Sequence, residues 1–261
     1  MPEIAALLDR AVVSLELSAS LRRAARLMAD QGVGSVVVLG AEGGPAIITE
    51  RDLLQAAAQA VDFDATPLEA HMTKKAVTVA SSLDVLEAAT RMHGEGFRHL
   101  IVAGDDQSVR GVLSMRDLLG ALIEQTRSAG PRPGGDEGGP RVKRVGDCMV
   151  RDVVSIEAGA TLDGAARAMT EGQVGAAIVM AGERVGGIIT ERDLMQAIAG
   201  GLAPTSTRVT ECMTRKPRTI TPFTTAGSAL SLMLARGFRH LPVMEDGELV
   251  GIVSMRALAS G

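Results

Sequence analysis

The chain has 261 residues, with 27 Lys and Arg against 31 Asp and Glu and a formal net charge of −4. That balance argues against a surface built for nucleic acid or an anionic membrane, and leaves room for local sites that take small anions. Hydrophobic residues make up 46% but aromatics only 2%, with no Trp or Tyr, so the interior must be built from Ala, Val, Ile, Leu and Met.

The start, Met1-Pro2-Glu3, lacks the basic region of a secretory signal, and no apolar run approaches the roughly 18 residues of a spanning helix. A soluble cytoplasmic protein is expected, with no membrane or nucleic-acid partner. Two cysteines cannot form a disulfide framework. Cys148 and Cys212 stand before Met149 and Met213, where His71 precedes Met72, and read as small residues opening a unit. The histidines, 71, 93, 99 and 240, form no ligand-spaced cluster with them, so no metal site is expected.

In chain order, Ala11 to Leu15 reads as a short strand, and Leu21, Ala24, Ala25 and Met28 mark one apolar helix face. Ser35 to Leu39 and Ala46 to Ile48 read as a hairpin around a Gly-rich tip, and Thr49 opens a second helix. The order repeats from Ala76 to Val79 through Val85, Ala88, Ala89 and Met92, then Leu100 to Ala103, Val109 to Leu113 and Asp117 to Ile123. A third copy starts at Val153 to Ile156, followed by Leu162, Ala165, Ala166 and Met169. The fourth starts at Arg218 to Ile220, followed by Ala226, Ala229, Leu230 and Met233. Each unit is β-α-β-β-α, giving an α/β (α+β) fold class.

The copies are measured by one motif, an apolar strand ending in Thr or Ser with Asp three places on: Thr49/Asp52, Ser114/Asp117 and Thr190/Asp193. Ser254 repeats it, but Ala257 stands at the acid's position. Thr49 to Ser114 is 65 places, Thr190 to Ser254 is 64, and Thr49 to Thr190 is 141. Each half is therefore one duplicated pair. The expected domains are 1–126, with units near 1–62 and 67–126, and 141–261, with units near 141–203 and 208–261. A Gly/Pro-rich flexible linker, 127–140, is expected between them.

Thr-x-x-Asp has a structural reading as a helix cap and capping box. It also has a functional one, because a helix start suits an anion and a carboxylate there can chelate the two hydroxyls of a ribose. Capping alone does not call for nearby cations, yet Arg98-His99 and Arg239-His240 recur just before the hairpins of the even-numbered units. Units 1 and 3 have Gly34-Ser35 and Gly175-Ala176 there. An Arg fork beside a His makes a good phosphate donor set.

The units resemble CBS domains and the paired halves resemble Bateman modules. The resemblance rests on Met72 to Val79, Gly96 to Val102 and the Gly-apolar-apolar-Ser/Thr-x-x-Asp endings, and covers all but the linker. It implies two units packed sheet to sheet about a pseudo-twofold axis, with two clefts per half for adenine-containing ligands: AMP, ADP, ATP, or S-adenosylmethionine or NAD. By that similarity one cleft uses Thr49 and Asp52 for ribose and Val77, Thr78 and Val79 for the base. A second uses Ser114 and Asp117 for ribose, Val12, Val13, Ser14 and Leu15 for the base, and Arg98 and His99 for phosphate. A third uses Thr190 and Asp193 with Arg218, Thr219 and Ile220. The fourth has Ser254, Val153 to Ile156, Arg239 and His240, and Ala257 puts a nucleotide there in question.

No G-x-S-x-G elbow, H-E-x-x-H, complete P-loop or Cys with a base is present, so neither an enzyme nor a catalytic cofactor is expected. The expected role is a regulatory sensor of adenine nucleotides acting on a protein not encoded here. The alternative is a ligand-free interaction scaffold. Either a single-chain disc of four units or a homodimer would suit the repeats.

Overall fold

The computed structural model describes residues 2–42, 44–106, 108–128 and 143–259. Repeat 1 runs through β1 (Ser14–Glu16), α1 (Leu21–Gln31), β2 (Ser35–Leu39), β3 (Ala46–Thr49) and α2 (Glu50–Ala58). Repeat 2 has β4 (Thr78–Ala80), α3 (Val85–Glu95), β5 (His99–Ala103), β6 (Val109–Ser114) and α4 (Met115–Ser128). Repeat 3 has β7 (Ser155–Glu157), α5 (Leu162–Glu171), β8 (Ala176–Ala181), β9 (Arg184–Thr190) and α6 (Glu191–Ala199). A short helix, α7 (Val209–Cys212), and β10 (Thr214–Arg215) lead to α8 (Ala226–Arg236), β11 (His240–Glu245), β12 (Glu248–Ser254) and α9 (Met255–Ala259).

Helix α1 shows why these segments fold as read. Ser20 caps it by accepting from the Arg23 amide, and Leu21, Ala24, Ala25 and Met28 are all fully buried on one face. It stops at Gly32, where φ is +64, a left-handed turn that glycine takes at no steric cost.

In the first three repeats the opening strand pairs parallel with the next, which pairs antiparallel with the third. The opening strands are shorter than the apolar runs suggest. Val12 and Val13 precede β1, Val77 precedes β4, and Val153 and Val154 precede β7, although Val13 and Val154 still offer carbonyls to Val37 and Ile178. In repeat 4 the strand expected at Arg218 to Ile220 is reduced to one parallel bridge, Ile220 to Val243. Pro217 and Pro222 bracket that stretch, and proline cannot donate to a ladder.

Packing divides the chain into two compact units, each drawing on both halves of the sequence. One comprises Val12–Val77 and Asp152–Pro217; the other comprises Met1–Ala11, Thr78–Arg151 and Arg218–Gly261. In the first, α1 packs on α6 and α2 on α5, around a core that includes Leu21, Met28, Leu53, Leu162, Met169 and Leu194. In the second, α4 packs on α3 and α9, and α8 on α9, with Leu119, Val145, Met233, Leu241, Val253 and Leu258 inside. Each such side chain contributes roughly 1.5–3 kcal/mol when fully buried.

The stretch before each repeat docks on its neighbour within the same half. Ile4, fully buried, donates its amide to the Leu83 carbonyl at 2.8 Å, and Val85 donates to Pro2 at 3.2 Å. Val145 donates to Thr224 at 2.8 Å, and Val150 pairs both ways with Ile252 at 2.9 Å. The segments before repeats 2 and 4 fold back instead: Leu68 donates to Ala19 and Val209 to Ala160, each at 2.9 Å. Packing by helix faces thus runs across the halves, and leader exchange runs within them. Repeat 2 ends later than expected, because α4 continues to Ser128; the rest of the expected linker, 129–140, lies outside the described residues. Division into 1–126 and 141–261 stays a proposal.

Candidate functional site

Each motif Thr or Ser ends a strand and the next residue starts a helix, so the side chain sits where the first backbone N–H groups of that helix need acceptors. Thr49 and Thr190 have the same extended backbone, φ −127 with ψ 167 and 166. The Asp52 carboxylate accepts from the Thr49 amide at 2.7 Å and from its hydroxyl at 2.8 Å, both on Oδ2. The hydroxyl in turn accepts from the Asp52 amide at 3.4 Å. Asp193 repeats this with Thr190 at 2.8 and 2.7 Å, and Asp117 with Ser114 at 2.8 and 2.6 Å. At Ser254 only half survives: the hydroxyl accepts from the Ala257 amide at 3.2 Å, with no carboxylate to answer.

The capping box is therefore complete in repeats 1 and 3, and in repeat 2 the Ser114 amide and hydroxyl both donate to Asp117. Capping does not exhaust the acid, because these bonds use one oxygen and a carboxylate has about four lone-pair sites. Asp52 is 9% exposed, and burial pushes its pKa up to about 6. The Thr49 hydroxyl and amide oppose that shift, Glu191 adds to it and Arg51 opposes it.

The hairpins bring the basic pairs to the motif. His99 lies opposite Ser114 in the β5–β6 register, and His240 opposite Ser254 in β11–β12. The Arg98 carbonyl accepts from the Met115 amide at 3.2 Å, and the Arg239 carbonyl from Met255 at 2.9 Å. In repeats 1 and 3 the same register places Ser35 opposite Thr49 and Ala176 opposite Thr190. The remaining expected contacts are proposals: Val77, Thr78 and Val79 toward Asp52; Val12, Val13, Ser14 and Leu15 toward Asp117; Arg218, Thr219 and Ile220 toward Asp193.

Two features escaped the reading of the sequence. Glu50 and Glu191, each 2% exposed, are bridged reciprocally: Arg192 Nε lies 3.0 Å from Glu50 Oε1, and Arg51 Nη2 lies 2.8 Å from Glu191 Oε1. The available signal was the alternation of Thr-Glu-Arg-Asp in repeats 1 and 3 with Ser-Met-Arg in repeats 2 and 4. Lys75 and Lys216, 141 places apart, both take left-handed backbone, φ 54 and 49, just before the proposed base-binding stretches. Nothing in their residue type announces that. Among the described residues, no group of three or more His, Cys, Asp or Glu is placed to hold a metal ion, and no helix is long and apolar enough to cross a membrane.

Comparison with known proteins gives these repeats a common description. A sequence model of the CBS domain matches residues 4–59, 68–124, 145–200 and 209–260. A 17.7 kDa protein of Acidianus ambivalens is 36% identical over 106 residues, 40% of this chain and 63% of that one. A CBS domain-containing protein of Arabidopsis thaliana is 27% identical over 238 residues, 80% of this chain and 43% of that one. The chain thus spans less than two thirds of the length of these relatives. Among solved structures, a protein from Methanocaldococcus jannaschii superposes with a TM-score of 0.80 at 17% identity, covering 98% of each chain. One from Pyrococcus horikoshii gives 0.58 at 19% identity, again over 98% of each.

Proposed function

The chain belongs to the CBS-domain family, and on that footing we propose that it is a non-enzymatic regulatory protein that binds adenine nucleotides and passes the signal to a partner protein. CBS-pair proteins are regulatory and often bind such ligands. One observation carries the reading to particular residues: Asp52, Asp117 and Asp193 are held alike by the residue three places before them, and His99 lies opposite Ser114 in one hairpin, with the Arg98 carbonyl tied to Met115 beside it. A ribose diol would donate to the carboxylates, and Arg98 and His99 would take a phosphate next to the Asp117 ribose. The proposed clefts follow the assignments made from sequence, with the fourth weakened by Ala257. Residence in the cytoplasm is part of the same proposal.

The test is a thermal-shift screen of the full chain with AMP, ADP, ATP, NAD and S-adenosylmethionine. A ligand at 100 times its dissociation constant stabilises by about 2.7 kcal/mol. A flat response across that panel would favour the ligand-free scaffold.

A further inference from the structure

The arginine two places after each motif Thr or Ser is present in all four repeats, but it does two different things. In the unit holding repeats 1 and 3, Arg51 and Arg192 bridge to Glu191 and Glu50. Met115 and Met255 replace those glutamates in repeats 2 and 4, and Arg256 goes elsewhere: it donates to the His93 carbonyl at 3.1 Å and the Gly96 carbonyl at 3.3 Å. These carbonyls lie at the C-terminal end of α3, where backbone acceptors lack intrahelical partners and a cation is favoured. A Cβ on Gly96, which has φ +83, would meet Arg256 Nη2 at 3.6 Å. The reciprocal approach exists too: a Cβ on Gly237, φ +76, would lie 3.7 Å from Arg116 Nη2.

Gly96 and Gly237 each begin the turn that delivers a basic pair, Arg98-His99 and Arg239-His240. The first turn is thus tied at two points. Its own repeat holds the Arg98 carbonyl through the Met115 amide at 3.2 Å, and repeat 4 holds the Gly96 carbonyl through Arg256. Where the turn carries no basic pair, at Gly34 and Gly175, the arginine is engaged by a glutamate instead.

We infer that Arg256 is a positioning residue for the anion subsite of repeat 2: it fixes the turn at Gly96 so that Arg98 and His99 point at a phosphate beside Ser114 and Asp117. This rests on the nucleotide reading above. It also gives the fourth motif a task that does not need the missing acid, since Ala257 removes the carboxylate but leaves Arg256 in place. Arg116 approaches the corresponding turn at Gly237.

The experiment uses the full chain with Arg256→Gln and Arg256→Lys, calorimetry with AMP and adenosine, and ligand-free amide exchange by NMR. Arg256→Gln should bind AMP about 10-fold more weakly and leave adenosine within about 2-fold, because only the phosphate contact depends on the turn. Arg256→Lys, which still donates to carbonyls but without a fork, should fall between. Exchange at Phe97 to His99 should quicken about 10-fold in Arg256→Gln, with Ile188 to Thr190 unchanged. Unaltered AMP affinity together with unaltered exchange at Phe97 to His99 would overturn the inference. Arg98→Ala separates the two readings: equal losses for AMP and adenosine sink the phosphate assignment, and the exchange measurement then decides the role of Arg256 alone.

Discussion

Arg192 Nε donates to Glu50 Oε1 at 3.0 Å across 142 positions of sequence, and Glu50 is 2% exposed. A buried carboxylate left without its cation costs roughly 3–5 kcal/mol, whereas replacing both partners by apolar residues can be neutral. Arg192→Met is therefore expected to lose about 3 kcal/mol, at the low end because its side chain is one third exposed. Adding Glu50→Met, the residue type of repeats 2 and 4, should recover most of that. Urea denaturation of the two single variants and the double variant gives the coupling directly; additive losses would show that the bridge is inert.

Asp52 makes stability depend on pH in an unusual direction. Its folded pKa is about 6 against an ordinary 3.8, chiefly through burial, so the folded state binds more protons between those values. Its contribution is fully present below pH 3.8 and is lost as pH rises through 6. The difference between the two values amounts to roughly 3 kcal/mol. Asp52→Asn stays neutral and keeps an acceptor for the Thr49 amide. The gap between this variant and the unmodified chain should thus swing in the variant's favour from about pH 4 to about pH 7.5. Parallel curves over that range would show that Asp52 titrates normally.

Capping and binding part company at the other acids. Asp117→Asn should keep the helix start and leave the melting temperature nearly unmoved, yet weaken AMP at that cleft by about 1.5–3 kcal/mol, on the order of 10- to 150-fold. A lower melting temperature with unchanged affinity would reduce the motif to a cap.

Ala257→Asp offers the converse. The new carboxylate would accept from the Ser254 amide and hydroxyl as Asp117 does from Ser114, completing a capping box and adding about 0.5–1 kcal/mol. Calorimetry with AMP should then show an added or tightened site. A stabilised chain with unaltered stoichiometry and affinity would mean that something besides the acid closes the fourth cleft.

Four copies, their element order, the helix faces and the capping boxes were all legible in the sequence, because each is a local pattern: Leu21, Ala24, Ala25 and Met28 bury as their spacing says. Which repeat packs on which was not legible. The apolar faces of α1, α2, α5 and α6 are built mainly from Ala and Leu, with Met or Ile in some, and nothing in that composition tells repeat 1 to meet repeat 3. Glu50 and Arg192 did carry a clue, since a charge pair repeated 141 places apart needs partners once buried, but as isolated residues they read like a solvated helix start. The shortened opening strand of repeat 4 could have been read from Pro217 and Pro222.

Limited proteolysis joins the two levels. Composition directs the first cuts to 127–140. The two fragments should nonetheless travel together on a sizing column, because α1 packs on α6 and α4 on α9 across the cut. They should part only in denaturant. Fragments that separate and stay folded would establish each half as an independent module.

The crossing of packing and sequence also sets a timetable for the growing chain. Repeat 1 can close its own hairpin early, with residues up to Val77 folded back on it, but the helix faces of α1 and α2 wait for α5 and α6, made roughly a hundred residues or more later. Ile4 waits for Leu83. During synthesis, then, the apolar faces of α1 and α2 stand uncovered at least until repeat 3 has been made. A pause placed before repeat 3 would lengthen that exposure, so the interleaved order of the repeats leaves the growing chain more open to aggregation than an order in which neighbours in sequence cover each other.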